Sequence, residues 1–172
     1  MRNILLTLIL FFPVLFFGQK PLRDSIYIKS DIFDLVYSEK LQQPKWIKYT
    51  VKCANGTAPR TGMDFFVCDT IVTSDNKDYE NNHYDKGHLA PAAAFNCTKE
   101  MLNKTFTYLN CTLQQENLNR GAWRLLEAHE RDLAAVGRSV DVVIVLDFTN
   151  AQKLPTHLLP CFFVLEHTFN FI

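Results

Sequence analysis

The sequence predicts one domain that mixes helices and strands, and three segments carry this prediction. Residues 46–51 alternate apolar and polar side chains, which is the period of a half-buried strand. From Asn119 onward, apolar side chains recur at the spacing of an amphipathic helix. Residues 140–146 form a continuous apolar run rich in β-branched side chains, which is typical of a buried strand. With 48% apolar residues among 172, the chain can bury one substantial core.

The N-terminal segment predicts a secretory signal peptide. Arg2 precedes an almost unbroken apolar run at residues 4–17, in which Thr7 and Pro13 are the exceptions, and a polar continuation follows Gly18. The run is shorter than the ~20 residues that span a bilayer as a helix; a retained N-terminal anchor is the alternative. We therefore expect a signal peptide at 1–19, a domain at 20–172, and a secreted or periplasmic product without stable membrane association.

Outside these segments, the sequence pattern that predicts helices and strands is weaker. Four short apolar stretches are candidate elements, the last two either a strand or an irregular edge: 26–28, 33–37, 65–67 and 70–72. Residues 74–82 are polar and rich in Asn and Asp, so we expect a surface loop there. The apolar stripe of the predicted helix comprises Ala122, Leu125, Leu126, His129 and Leu133, and Gly137 is expected to end that helix.

Net charge identifies no partner, because 18 basic side chains balance 18 acidic ones. A neutral chain is not built for strong counterion-release binding along a polyanion, so any interaction with nucleic acid must depend on local charge. Residues 45–63 carry four cations and no acid, whereas residues 64–85 carry six acids and, before Lys86, only Lys77 as a cation. The basic segment, which includes Arg60, is either a binding surface or a solvated strand face.

Five cysteines can form disulfides in an exported chain: Cys53, Cys68, Cys97, Cys111 and Cys161. The nearest pairings in sequence are Cys53 with Cys68 and Cys97 with Cys111, although the sequence leaves the connectivity open. No Cys-x-x-Cys and no His pair at helical separation occurs, so we expect no structural zinc site.

Two short stretches concentrate polar side chains. The first places Asp85, Lys86 and His88 within four residues. The second runs from Asn110 into the predicted helix and includes Gln114, Asn119, Trp123 and Glu127. On a straight helix Asn119 and Glu127 would lie ~12 Å apart along the axis, at about 1.5 Å per residue. They would therefore be unable to contact one ion directly together.

These stretches resemble the DNA/RNA non-specific endonucleases of the ββα-metal, or His-Me finger, group. The motif of that family runs Asp-Arg-Gly-His and later Asn, Gln and Leu-Asn-x-Gly-x-Trp-x-x-Leu-Glu, and the resemblance covers roughly residues 46–133. It implies an α+β fold with a central antiparallel sheet, in which the strand bearing His88 packs on the helix beginning near Asn119.

The resemblance also implies a magnesium-dependent endonuclease that cleaves DNA and RNA with little sequence preference, with manganese able to substitute. It assigns His88 as the general base, Asn119 as the magnesium ligand and Glu127 as the holder of a metal-bound water. The supporting residues are Lys86 in place of the usual arginine, Asn110 beside the site, and Arg60 as the candidate phosphate contact. These types suit the chemistry, since phosphodiester hydrolysis needs a base and a cation facing the developing charge.

The chain also departs from the family pattern. Lys86 keeps a positive charge but lacks the planar fork of arginine, Leu113 replaces the usual proline, and residues 143–150 lack a Thr-Gly that the family tends to carry. A short or divergent C-terminal part leaves a second interpretation, a non-catalytic secreted domain that binds nucleic acid or a protein. A third interpretation is a Cys/His hydrolase, which would have to use Cys97 or Cys111 as its nucleophile. Neither cysteine lies in a nucleophile motif. The sequence indicates neither an oligomeric state nor an inhibitor protein.

Overall fold

The computed structural model describes residues 20–148 and the backbone of residues 162–170; the predicted signal peptide lies outside this part of the chain. Seven strands are present in it: β1 (Ile26–Lys29), β2 (Phe33–Ser38), β3 (Gln43–Thr50), β4 (Tyr84–His88), β5 (Cys111–Gln115), β6 (Ser139–Asp147) and β7 (Phe162–Asn170). They form an antiparallel five-stranded sheet in the order β1-β2-β3-β6-β7 and a separate antiparallel pair, β4-β5.

The central strands of the large sheet confirm two sequence predictions. In β3, Ile47 and Tyr49 are buried while Lys48 between them is exposed, so the alternation of residues 46–51 marks a half-buried strand. Strand β6 pairs with it, Ile47 lying opposite Ile144. The apolar run of β6 is nevertheless buried on one face only, because Val145 remains 39% exposed.

The predicted helix near Asn119 is present but interrupted. Helices α1 (Lys99–Lys104), α2 (Glu116–Leu118) and α3 (Arg124–Ala135) occur in the described chain, and a wide π turn at Asn119–Trp123 joins the last two. Gly121 in that turn has φ −105° and ψ −107°, outside the helical range. Gly137, at φ +86°, follows the end of α3 as predicted.

Part of the predicted apolar stripe is wrong, because a π turn precedes α3. A π turn holds more residues than an α turn, so it changes which side chains of the following helix face the sheet. Leu125 is 60% exposed, whereas Trp123 and Glu130 are buried and Leu126 packs against the core. The hydroxyl of Tyr49 donates to Glu130 Oε2 at 2.9 Å, which ties α3 to β3.

The main core lies where the large sheet meets α3 and the segment that follows β4. Its fully buried side chains include Leu35 and Ile144 from the sheet and Leu89 and Phe95 from that segment. A smaller cluster contains Leu102 and Phe106. The two strands that carry the sequence motifs are therefore anchored by the residues that immediately follow β4.

The predicted disulfide pairings are wrong. Cys53 is bonded to Cys97, with their Cα atoms 5.5 Å apart, while Cys68 and Cys111 are free thiols. The backbone explains the pairing, since Cys53 N donates to Ala94 O at 3.0 Å and so brings two distant segments together. Cys111 is fully buried within β5, and Cys161 lies outside the described residues.

Two further segments differ from expectation. Residues 74–82 contain a 3₁₀ turn, Asn76–Tyr79, with Asp78 and Ser74 buried, so this stretch is more than a surface loop. Residues 65–72 are irregular apart from an isolated bridge between Phe66 and Thr107. Among the described residues, no helix combines the length and apolarity needed to cross a bilayer.

Candidate active site

The motif residues lie on a compact unit of two strands and a helical segment. Strands β4 and β5 pair antiparallel, with Asp85 opposite Gln114 and His88 opposite Cys111, and α2 begins directly after β5. Gly87 is buried against Gln114, and a Cβ atom added to Gly87 would lie 2.5 Å from Gln114 Cβ. Only glycine permits this approach, so the Lys-Gly-His step is a packing requirement of the strand pair.

A cavity of about 300 Å³ opens beside this unit, and it brings together five of the six predicted site residues. Its polar lining consists of Arg60, Lys86, His88, Asn119, Arg120, Arg124 and Glu127. Arg120 and Arg124 are additions to the prediction; their only signal in the sequence is their position within one or two turns of Asn119. A depression of about 380 Å³ around Leu22 and Val67 contains no histidine and none of the motif residues.

His88 is held neutral between two aromatic rings. The centroid of its imidazole lies 4.5 Å from that of Phe65 and 4.8 Å from that of Phe106, the latter edge-on. Its Nε2 is buried without a hydrogen-bond partner in the described part of the chain. Burial lowers the pKa of His88 to about 3, and the charges of Arg60 and Lys86 act in the same direction. The ring is therefore neutral at physiological pH, which is the protonation state that a general base requires.

Lys86 lies on the same face of β4 as His88, as alternation along a strand predicts. Its ammonium donates to Asp64 Oδ1 at 2.6 Å and to Asn76 Oδ1 at 2.9 Å, and it lies 5.6 Å from the centroid of the Phe65 ring. The Arg60 guanidinium lies 5.2 Å from the centroid of Phe106. Both rings that enclose the histidine thus also contact a cation of the cavity.

Asn119 is tied to β4 through Asp85. Its Nδ2 donates to Asp85 Oδ2 at 2.8 Å. Arg120 donates to the same carboxylate twice, from Nε at 2.9 Å and from Nη2 at 2.7 Å. Hydrogen bonds from Arg120 and, to a smaller extent, from the amide of Asn119 hold the pKa of the Asp85 carboxyl below its usual range.

Glu127 has an unusual environment for a carboxylate. Burial and, to a smaller extent, the neighbouring charge of Glu130 raise the pKa of Glu127 to about 7, against the opposing effect of Arg131. The straight-helix separation of ~12 Å at about 1.5 Å per residue does not apply to Asn119 and Glu127, because the π turn lies between them. Both side chains line the one cavity.

Asn110, expected to support the site, lies behind the cavity and does not line it. It is fully buried, with Oδ1 accepting from Ala90 N at 2.8 Å and Nδ2 donating to Ala90 O at 2.9 Å and to Thr105 O at 3.0 Å. These bonds fix the backbone just after His88. The contacts therefore support a role for Asn110 in positioning the backbone next to His88.

The donors of the cavity fit a hard divalent cation that keeps much of its water. Asn119 offers an amide oxygen and Glu127 a carboxylate, and magnesium favours such oxygen ligands together with water. The described residues contain no cluster of three or more His, Cys, Asp or Glu side chains that could enclose a metal. A site with few protein ligands is therefore the kind that these residues can form.

The chain is similar to several known proteins. The family model described as DNA/RNA non-specific endonuclease matches residues 20–166. Bovine mitochondrial endonuclease G is 28% identical over 113 residues, which are 63% of this chain and 38% of that protein. The mitochondrial nuclease of Saccharomyces cerevisiae is 30% identical over 115 residues, 62% of this chain and 35% of that protein.

A solved structure is also similar. The crystal structure of an EndoG/EndoGI complex, titled for the mechanism of EndoG inhibition, aligns with a TM-score of 0.64 and 27% identity. The alignment covers 75% of this chain and 56% of that one. The chain thus spans well under two thirds of these relatives. Its α+β fold, with antiparallel sheets and the β4-β5 pair leading into the helical segment, is the one that the resemblance implied. The chain belongs to the DNA/RNA non-specific endonuclease family.

Proposed function

We propose that this protein is a magnesium-dependent endonuclease that hydrolyses phosphodiester bonds in DNA and RNA with little sequence preference. The observation that carries the proposal is the single cavity shared by a neutral histidine, His88, the oxygen donors Asn119 and Glu127, and four cationic side chains. Membership of the endonuclease family supports it. The activity requires no large basic surface, because the positive charge is concentrated where a phosphate would bind.

His88 is the general base of the proposed reaction. A ring that burial keeps neutral at physiological pH can take the proton of an attacking water. Phe65 and Phe106 both pack against this ring. Asn110, by fixing Ala90, holds the backbone that carries His88.

The cations of the cavity bind the scissile phosphate. Arg60 and Arg124 have no ion pair within the described residues, whereas Lys86 is paired with Asp64 and Arg120 with Asp85. The unpaired cations can therefore contact phosphate oxygens without first losing a carboxylate partner.

Asn119 and Glu127 would hold the metal, Asn119 through its amide oxygen and Glu127 through a water. When bound, the divalent ion supplies positive charge beside the phosphate and the leaving oxygen. Glu127 is at about its pKa near neutral pH, so its ionised form is available there and lost under acidic conditions. Manganese shares the preference for oxygen ligands and is expected to substitute.

We further propose that the protein is exported and acts in a secreted or periplasmic setting, without stable membrane association. The signal-like pattern of residues 1–19 supports export, and a Cys53–Cys97 disulfide suits an oxidising compartment. The bovine and yeast relatives are named as mitochondrial proteins. N-terminal sequencing of the protein recovered from its host tests the proposal: a mature terminus near Lys20 is expected, and an intact Met1 on a membrane-bound product contradicts it.

Digestion of supercoiled plasmid and of a transcribed RNA tests the activity. The purified protein should cleave both with magnesium or manganese, and excess chelator should abolish cleavage. Asn119→Ala should lose most activity and recover part of it at high magnesium. Binding without cleavage by the metal-loaded protein would instead identify a non-catalytic nucleic-acid-binding domain, and undiminished cleavage by metal-free protein would remove the metal from the proposal.

A further inference from the structure

We infer that Asp85 is a positioning residue that orients the side-chain amide of Asn119, so that its carbonyl oxygen, not its nitrogen, is presented to a divalent cation. The inference rests on the proposed function, because it assigns Asp85 a task at the metal site proposed there. Asp85 does not line the cavity, so its effect must pass through Asn119.

The chemistry of an amide makes this orientation matter. The two ends of the Asn119 side chain have nearly the same shape, but one is a donor and the other an acceptor. An ionised carboxylate only accepts, so the contact of 2.8 Å between Asp85 Oδ2 and Asn119 Nδ2 selects one orientation. The reversed amide would place two oxygens against each other. No other hydrogen bond holds this amide within the described residues, and a metal cannot bind its nitrogen end.

Two sets of contacts fix the position of Asp85. It belongs to β4, where it pairs with Gln114, and its carboxylate receives two parallel hydrogen bonds from Arg120. Such a bidentate pair fixes the plane of the carboxylate as well as its position. The side chain of Arg120 is 67% exposed and that of Asp85 22%, so the pair contributes little to stability. The effect of the Arg120–Asp85 pair is to fix the position of the Asp85 carboxylate.

The backbone around Asn119 explains why such a tether is needed. Asn119 begins the π turn that separates α2 from α3, and Gly121 within it departs from helical geometry. α2 has only three residues, with its start capped by Gln115 through a 3.0 Å bond to Leu118 N. This short helical segment does not by itself determine how the Asn119 amide is turned.

Manganese binding to the purified full-length protein, measured by the paramagnetic resonance signal of free Mn²⁺ without nucleic acid, tests the inference. Asp85→Asn replaces the carboxylate with a group that donates as well as accepts, so the Asn119 amide can reverse. We expect the Kd for Mn²⁺ to rise by about tenfold or more, the usual scale for a residue that orients a metal ligand. Asp85→Glu, which keeps an acceptor-only carboxylate, should recover part of the affinity.

Asp64→Asn is the matched control. It removes the same charge from the partner of Lys86, at the edge of the same cavity, without touching Asn119. We expect a change of less than about threefold, since exposed charges act weakly through water. Equal Kd values for Asp85→Asn and Asp64→Asn would overturn the inference, because the loss would then be one of charge and not of orientation.

Two further outcomes keep the inference distinct from the proposed function. If the unchanged protein binds no more Mn²⁺ than Asn119→Ala, the proposed metal site is wrong. If Asp85→Asn fails to fold, as shown by thermal unfolding, Arg120→Lys decides, because it keeps the positive charge in the cavity and removes the two parallel hydrogen bonds to Asp85. A several-fold weaker Mn²⁺ affinity in folded Arg120→Lys supports the inference, and an unchanged affinity contradicts it.

Discussion

The ammonium of Lys86 lies 2.6 Å from Asp64 Oδ1, so the cation two residues before His88 is already ion-paired. The Asp64 side chain is 64% exposed, and Lys86 also reaches Asn76. An exposed pair of this kind is weak. A phosphate entering the cavity can therefore compete for Lys86 at small cost.

Lys86→Ala should reduce kcat/KM on a defined duplex by at least about tenfold, or ~1.4 kcal/mol of transition-state stabilisation. Lys86→Arg should be at least as active as the unchanged protein, because its planar fork can bind two phosphate oxygens. Steady-state kinetics of both variants under one salt condition make the comparison. A loss of less than about threefold for Lys86→Ala would transfer this role to Arg60 and Arg124.

His88→Ala should lower the cleavage rate by about 10²–10⁴-fold, the usual contribution of a general base. Nucleic-acid binding should persist, since the cations of the cavity remain. Single-turnover cleavage and a binding titration at the same magnesium concentration separate the two effects. Full activity in the purified, folded variant would remove His88 from the mechanism.

Gly87→Ala should distort the strand pair, because the new Cβ would overlap Gln114. Overpacking of this kind costs about 1–3 kcal/mol, and a shift of β4 should also reduce activity by moving His88. Gly62→Ala is the control: Gly62 has φ +78° and open space around it, so the variant carries backbone strain without a clash. Urea unfolding should show both variants destabilised, whereas the loss of kcat should be confined to Gly87→Ala. Equal kcat losses would refute this explanation.

Glu39 should make stability sensitive to acid. Its carboxylate accepts from Arg23 N at 2.7 Å, from Arg23 Nη2 at 2.6 Å and from Val72 N at 3.2 Å. Hydrogen bonds from Arg23 are the largest cause that lowers the pKa of Glu39 to about 2, below its ordinary value of 4.5. A depressed carboxyl pKa stabilises the fold above the unfolded pKa, and this stabilisation is lost as the pH falls from 4.5 toward 2.

Glu39→Gln should accordingly be less stable than the unchanged protein at pH 7, with the difference shrinking below pH 4.5. Urea titrations at several pH values measure it, and Asp69→Asn, on an exposed residue of the same surface, provides a control. A difference that stays constant down to pH 3 would mean that the ionised carboxylate is not the source of the stabilisation.

Local regularities in the sequence were sufficient for several features of the fold and site. The period of two identified the strand at residues 46–51, and along β4 the same period puts Lys86 and His88 on one face. Gly137 ended the helix as expected, because a positive φ is a local property of glycine. These predictions succeed since each depends on neighbours within a few positions of the chain.

Only the tertiary structure decided the features that depend on distant segments. Phe65 and Phe106 enclose His88 although they lie 23 residues before it and 18 after it in sequence. Arg120 reaches Asp85 across 35 positions. The Cys53–Cys97 bond likewise spans 44 positions.

Such contacts arise from the packing of whole elements, so spacing along the chain carries no information about them. The π turn at Asn119–Trp123 also differs from the straight helix that the apolar period favoured. The sequence by itself thus determined which residues are candidates for the site and, for His88 and Asn119, the strand and the helical segment that carry them. Their burial, their hydrogen-bond partners and the resulting pKa of His88 were decided only when the β4-β5 pair met the segments that bear Arg60, Phe65 and Phe106.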